Sequence, residues 1–193
     1  MRITVDGGTD QWLSYLNNHK IDHNSVKPID LVTGDMDSIL DETLFQMRAH
    51  DHTRVIVTED QNATDFTKAL LELKKYTEEN PSSKVRQTFT TIYNVLLSFS
   101  SIQVQQIAVI CDTSGRCDQI LSNLNTLFKM KDIDPDWKAY IFASDSLTWL
   151  LPVGLNIIHV PEKCRKAQDW CGLIPIGSPC EVTTSGLKWN LSE

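Results

Sequence analysis

Five aspartates hold the positions from which chemistry could be done. Asp6, Asp35, Asp37, Asp65 and Asp118 each stand just beyond an apolar, β-branched run or at the start of the helix expected to follow it. In an open α/β sheet such positions gather at the carboxyl edge of the strands, where ligands bind. Carboxylates converging there repel one another and raise their own pKa values. A Mg²⁺ ion relieves that repulsion, being a hard cation that accepts carboxylate and phosphate oxygens together. Gly7, Gly8, Gly34 and Gly115 let the backbone come close to a phosphate. Helix starts near Asp10, Thr64 and Cys117 would aim N–H groups at an anion, and Arg116 could neutralise charge developing in phosphoryl transfer. A single aspartate after a strand is commonly only a cap or a turn residue. The string Gly34-Asp35-Met36-Asp37-Ser38 says more, because two acids one residue apart behind an apolar strand have little structural purpose. The residues by themselves point to Mg²⁺ and phosphate chemistry without a Walker A loop, since GxxxxGK[ST] is absent.

The elements that must carry these groups can be read from periodicity. Ile3 to Val5 is a short strand that ends at Asp6-Gly7-Gly8, and a helix follows over about Asp10 to Asn17. Ile29 to Val32 and Arg54 to Val57 are further strands. Thr64 is placed to cap a helix in which Phe66, Ala69, Leu70, Leu73 and Thr77 share a face. Ile107 to Ile110 is a fourth strand, running through Asp112-Thr113-Ser114-Gly115-Arg116 into a helix with Ile120, Leu121, Leu124, Leu127 and Phe128 on one side. Strands alternating with amphipathic helices predict an α/β, Rossmann-like layer with a mostly parallel sheet. Beyond a boundary near Leu151 to Gly154 the pattern changes to short apolar segments, Ile157 to Val160, Leu173 to Ile176 and Val182 to Thr184, punctuated by Pro and Gly. This predicts a smaller all-β domain. Val85 to Ile102 has weak periodicity and reads as an extra helix or an insertion.

Composition excludes several classes. The 193 residues suffice for one large or two small domains, and 41% hydrophobic content is that of a globular chain. A net charge of −7 argues against general nucleic-acid binding, which needs clustered Lys and Arg. The five cysteines are odd in number and form no CxxC, so a zinc site and a disulfide framework are both unsupported and a reducing, cytoplasmic setting is expected. No apolar run of about 18 residues offers a transmembrane helix, and the first residues read as a strand, not a signal peptide.

In order along the chain come Asp6-Gly7-Gly8, Gly34-Asp35-Met36-Asp37-Ser38, Gln61-Asn62-Ala63-Thr64-Asp65-Phe66-Thr67-Lys68, Gly115-Arg116-Cys117-Asp118-Gln119, Asp169-Trp170-Cys171-Gly172-Leu173-Ile174-Pro175 and Gly186-Leu187-Lys188-Trp189-Asn190-Leu191. This set resembles the eukaryotic thiamine pyrophosphokinases. The resemblance implies an α/β ATP-binding catalytic domain over 1–151 and a β-sandwich thiamine-binding domain, here partial, over 152–193. It implies transfer of pyrophosphate from ATP to thiamine, giving thiamine diphosphate and AMP, in a homodimer with shared active sites. By the same resemblance Asp35, Asp37 and Asp65 surround Mg²⁺ and the phosphates, and Asp6, Gly7, Gly8, Arg116 and Asp118 lie at the nucleotide. Gln61 and Asp65 contact thiamine, and Trp189 stacks on it from the partner subunit; without the resemblance Trp189 reads equally as a core tryptophan. Asp10 stands where the family has Asn, and Cys111-Asp112 where it has glycines. The family's first strand and helix and its last sandwich strands are expected to be missing, so a binding-only, catalytically impaired fragment is the alternative. A different Mg²⁺-dependent phosphotransferase is disfavoured, because it has no use for the Gly186 to Leu191 string.

Overall fold

The computed structural model describes residues 1–60, 62–79, 106–111 and 115–192, so Gln61, Asp112 to Ser114 and the Val85 to Ile102 segment lie outside the described residues. The chain divides into two units, Met1–Leu151 and Pro152–Glu193.

In the first unit, β1 (Ile3–Val5), β2 (Leu31–Gly34) and β3 (Arg54–Val57) form a parallel sheet in the order β1-β2-β3. The register sets Ile3 beside Leu31 and Leu31 beside Arg54. Side chains alternate across a strand, so Ile3 and Leu31 face one way and Val32 the other. Val32, fully buried, packs with Ile29, Ile39 and Met47 against Trp12 and Leu13 of α1 (Gly8–Asn18) and Leu44 of α2 (Asp41–Ala49). Ile3 packs on the opposite side, with Phe66, Leu70 and Leu73 of α3 (Asp65–Glu79) and Leu127 and Met130 of α4 (Cys117–Ile133). Helices on both faces explain why all four residues of β2 are buried and why that strand is apolar without alternation. Each fully buried Leu or Val in these clusters contributes about 1.5–3 kcal/mol.

A second sheet has the order β4-β5-β6: β4 (Gln106–Ile110) pairs parallel with β5 (Lys138–Phe142), and β6 (Leu147–Thr148) returns antiparallel. The predicted parallel layer is thus present as two three-stranded ladders. α2, β5 and β6 add to the elements expected from periodicity.

α3 and α4 are also joined by hydroxyls. Thr64 caps α3, its Oγ1 accepting from the Thr67 amide at 3.1 Å. The Oγ1 atoms of Thr64, Thr67 and Thr126 lie 2.9–3.2 Å from one another, and Thr126, fully buried, donates back to the Ser122 carbonyl at 3.0 Å.

The second unit holds α5 (Glu162–Ala167) and one antiparallel bridge, Thr183 to Ser192. Of the apolar segments expected there as strands, only Val182 to Thr184 enters a pairing. Leu155, Ile157 and Ile174 are exposed. An extended segment becomes a strand only when a neighbour takes its N–H and C=O groups, and within this unit Ile157 to Val160 and Leu173 to Ile176 have none. Among the described residues no helix is long and apolar enough to cross a membrane.

Candidate functional site

The parallel register carries the ends of β1, β2 and β3 to one edge. Asp6 follows β1 in a left-handed conformation (φ 45°), its amide extending the ladder to the Thr33 carbonyl at 2.9 Å and its own carbonyl accepting from the Thr9 amide at 2.9 Å. The side chain is turned inward, with 4% of the residue exposed. Its carboxylate accepts from the Ser38 amide at 3.2 Å, the Ser38 hydroxyl and the Ile39 amide at 2.9 Å. Asp10, one helical turn on, accepts from the Leu40 amide at 3.0 Å and so ties α1 to the start of α2. The first βα turn therefore grips the whole loop that follows β2. The grip is close: a Cβ at Gly34, whose φ is 142°, would lie 2.8 Å from the Asp6 Cβ, and one at Gly7 would lie 3.0 Å from the Ser38 carbonyl.

This grip brings three carboxylates together. Oxygens of Asp6, Asp35 and Asp37 lie within 4.8 Å of one another, graded from buried Asp6 to exposed Asp37. The Asp37 carboxyl is held above the usual carboxylate range by its hydrogen bond to Asp6, then by the negative charge of Asp35. Three hard oxygen donors whose charges are crowded to that degree suit a Mg²⁺-sized cation. The residues thus fit the ion that the strand-end acids imply.

Asp65 stands apart from that trio. It opens α3, and its Oδ1 accepts from Lys68 Nζ at 3.1 Å. Lys68, only 5% exposed, also donates to the Thr58 carbonyl at 3.3 Å just past β3. Arg116 and Asp118, at the start of α4, meet each other: Nε donates to Asp118 Oδ1 at 3.1 Å and the guanidinium end to Oδ2. The hydrogen bond from Arg116 holds the Asp118 carboxyl below its ordinary range. Both are exposed, and a planar fork with two donors engaged retains others for an anion.

In the second unit Trp189 is 66% exposed. Its ring stacks beside Trp170, centroids 6.2 Å apart and planes 16° off parallel, and Lys188 Nζ sits 4.6 Å from its centre. Sequence reasoning missed Ser38, Lys68 and Trp170. Lys68 did carry a signal, three residues after Asp65 on one helix face.

Residues 1–140 match the family model described as the thiamin pyrophosphokinase catalytic domain, and residues 156–193 the one described as the thiamin pyrophosphokinase vitamin B1 binding domain. Thiamine pyrophosphokinases 2 and 1 of Arabidopsis thaliana are each 31% identical over 201 residues, an alignment that takes in 100% of this chain. The chain spans 65% of the length of these plant relatives. Among solved structures, the thiamin pyrophosphokinase from Candida albicans superposes with a TM-score of 0.56 at 21% identity, covering 75% of this chain and 51% of that one. The yeast thiamin pyrophosphokinase gives 0.55 at 17%, covering 76% and 51%; at these identities the likeness speaks for the fold.

Proposed function

The chain belongs to the thiamin pyrophosphokinase family, and from that premise we propose that it transfers the pyrophosphoryl group of ATP to thiamine, releasing AMP. The observation that carries this reading is the convergence of Asp6, Asp35 and Asp37 at the carboxyl edge of β1 and β2, inside the region that matches the catalytic domain. The hydroxyl oxygen of thiamine attacks the β-phosphorus of ATP, the bond from that phosphorus to the α-phosphate bridging oxygen breaks, and AMP leaves with that oxygen. An aspartate at the edge, Asp65 foremost, accepts the hydroxyl proton. Asp35 and Asp37, together with Asp6 or Asp65, would hold Mg²⁺, which when bound would supply positive charge against the phosphate oxygens. Asp6 also fixes the Asp35–Asp37 loop through Ser38 and Ile39. Gly7 and Gly8 keep the α1 start open to the nucleotide, and Arg116, steadied by Asp118, neutralises charge on the transferred group.

For thiamine we assign Gln61, Asp65 and Trp189. A large exposed aromatic face suits a flat cationic heterocycle. We further infer a homodimer in which Trp189 of one protomer serves the site of the other. The five cysteines, none of them in a disulfide, suit a reducing cytoplasm.

The test is AMP release when ATP, Mg²⁺ and thiamine are mixed with the chain, with chelator as the control. Binding of both substrates without AMP would establish the impaired, binding-only alternative. Mixed dimers of Trp189→Ala and Asp37→Asn chains examine the shared site: one pocket of such a heterodimer is intact, so activity partly returns. Heterodimers that form and stay silent exclude sharing.

A further inference from the structure

We propose that Lys68 is a positioning residue, which locks Asp65 to the Asp35–Asp37 loop and so completes the cation and phosphate site; the proposal rests on the functional reading above. A lysine ammonium is rarely buried, because desolvation is costly unless acceptors surround it. Lys68 is 5% exposed, deeper than any other lysine or arginine among the described residues' ion pairs. Its position is not explained by helix stability, since an i,i+3 pair on an exposed face would serve that purpose equally well.

What the buried ammonium does is join two elements. It donates to Asp65 Oδ1 at 3.1 Å and to the Thr58 carbonyl at 3.3 Å. Thr58 in turn donates its amide to the Gly34 carbonyl at 2.8 Å, and Gly34 is the residue before Asp35. The connection runs Asp65, Lys68, Thr58, Gly34, Asp35 through three hydrogen bonds, and the ammonium that makes two of them is buried. Apolar packing already sets α3 against β1, but the hydroxyl bonds at its first turn, through Thr64 and Thr67, lead to α4, and Lys68 is the polar link from that turn toward the loop after β2. With it, one Asp65 oxygen is fixed and the other, which has no hydrogen bond among the described residues, is left for ligand. This is the arrangement of an outer partner orienting an oxygen donor, whose removal typically weakens metal affinity or activity by roughly 10–100-fold.

The test uses the full chain and binding as its readout. Wild type and Lys68→Met, which keeps the apolar stem, are titrated by calorimetry with Mn²⁺·ATP and with ATP in excess chelator, and both are melted. Lys68→Met should bind Mn²⁺·ATP at least about tenfold more weakly, with metal-free ATP binding unchanged. In an Asp65→Asn background the same substitution should add little, because Lys68 acts through Asp65. Should Lys68→Met not fold, Lys68→Gln, which can still donate but carries no charge, is measured in its place. Equal affinity of wild type and variant for Mn²⁺·ATP overturns the proposal and leaves the functional reading standing. So does a loss that persists in full beside Asp65→Asn. A wild-type chain that ignores Mn²⁺·ATP overturns the functional reading, and this inference with it.

Discussion

Alanine at Gly34 should be the most damaging methyl that can be added to this molecule. Two costs coincide there. The backbone angle of 142° lies where side chains are strained, at about 1–3 kcal/mol. The new Cβ would also stand 2.8 Å from the Cβ of buried Asp6, with the Asp6 amide nitrogen at 3.3 Å. Neither contact is the loose end of a long side chain, so β1 and β2 must separate, at about 1–3 kcal/mol more. The sum is about 2–6 kcal/mol, and a value near 4 lowers Tm by about 8–16 °C for a chain of this size. Gly7→Ala meets only the second kind of cost, since its φ is an ordinary −56° and the nearest atom is the Ser38 carbonyl oxygen at 3.0 Å. It should lose about 1–3 kcal/mol. Gly8 opens α1 with nothing within 4 Å of a new Cβ, and Gly8→Ala should be neutral or gain up to about 1 kcal/mol. Urea titrations followed by far-UV circular dichroism, which reads α1 to α4 of the first unit, give all three values on one scale. The reasoning is refuted if Gly34→Ala melts with wild type, or if Gly8→Ala is the most damaging of the three.

Three further outcomes are expected. Asp37 titrates above the ordinary carboxylate range, so below that raised value the native chain keeps a proton that the unfolded chain has released. Metal-free stability should therefore fall as pH rises from about 4 through the raised value; Asp37→Asn should remove that slope and lose the stabilisation that Mg²⁺ gives wild type, both read from melting curves with and without chelator. Thr126→Val removes the donor and acceptor shared by Thr64, Thr67 and the Ser122 carbonyl, at about 1–3 kcal/mol in denaturant titration, and a cost near zero would show that the remaining hydroxyls re-pair. Trp189→Ala should weaken thiamine binding by about 0.5–2 kcal/mol while ATP binding, measured in parallel, stays as it was.

The strand ends were legible because a β-branched run stopping at Gly or Asp marks its own boundary. Asp6, Asp35 and Asp37 were found that way, and the structure brings their oxygens together. The grip behind them was not legible. Asp6 and Ser38 are 32 residues apart, and only the β1–β2 register reveals that they meet. Lys68 stood in the Gln61 to Lys68 string without a role, because its burial depends on where α3 lands against β3. Helix α2 escaped notice since its inward face is little more than Leu44 and Met47, while Phe45 points to solvent. In the second unit apolar runs were read as strands from composition, but pairing is a property of two segments, and among the described residues there Thr183 with Ser192 is the one bridge.

The threonine knot between α3 and α4 has a mechanical meaning. Among the described residues, no strand of the β1-β2-β3 ladder pairs with any of the β4-β5-β6 ladder. The described polar link between the two halves passes through helices. Asp65 begins one of them and Arg116 precedes the other, and the knot clips the first turn of α3 to the middle of α4. Hydroxyls are rotors: each can turn its hydrogen from one oxygen to the next and keep its bond count. A joint made of them resists separation yet permits a small slide. The spacing of the two helix starts is thus held at one end by this hydroxyl cluster and along the helices by the apolar contacts of Leu70 and Leu73 with Leu127 and Met130.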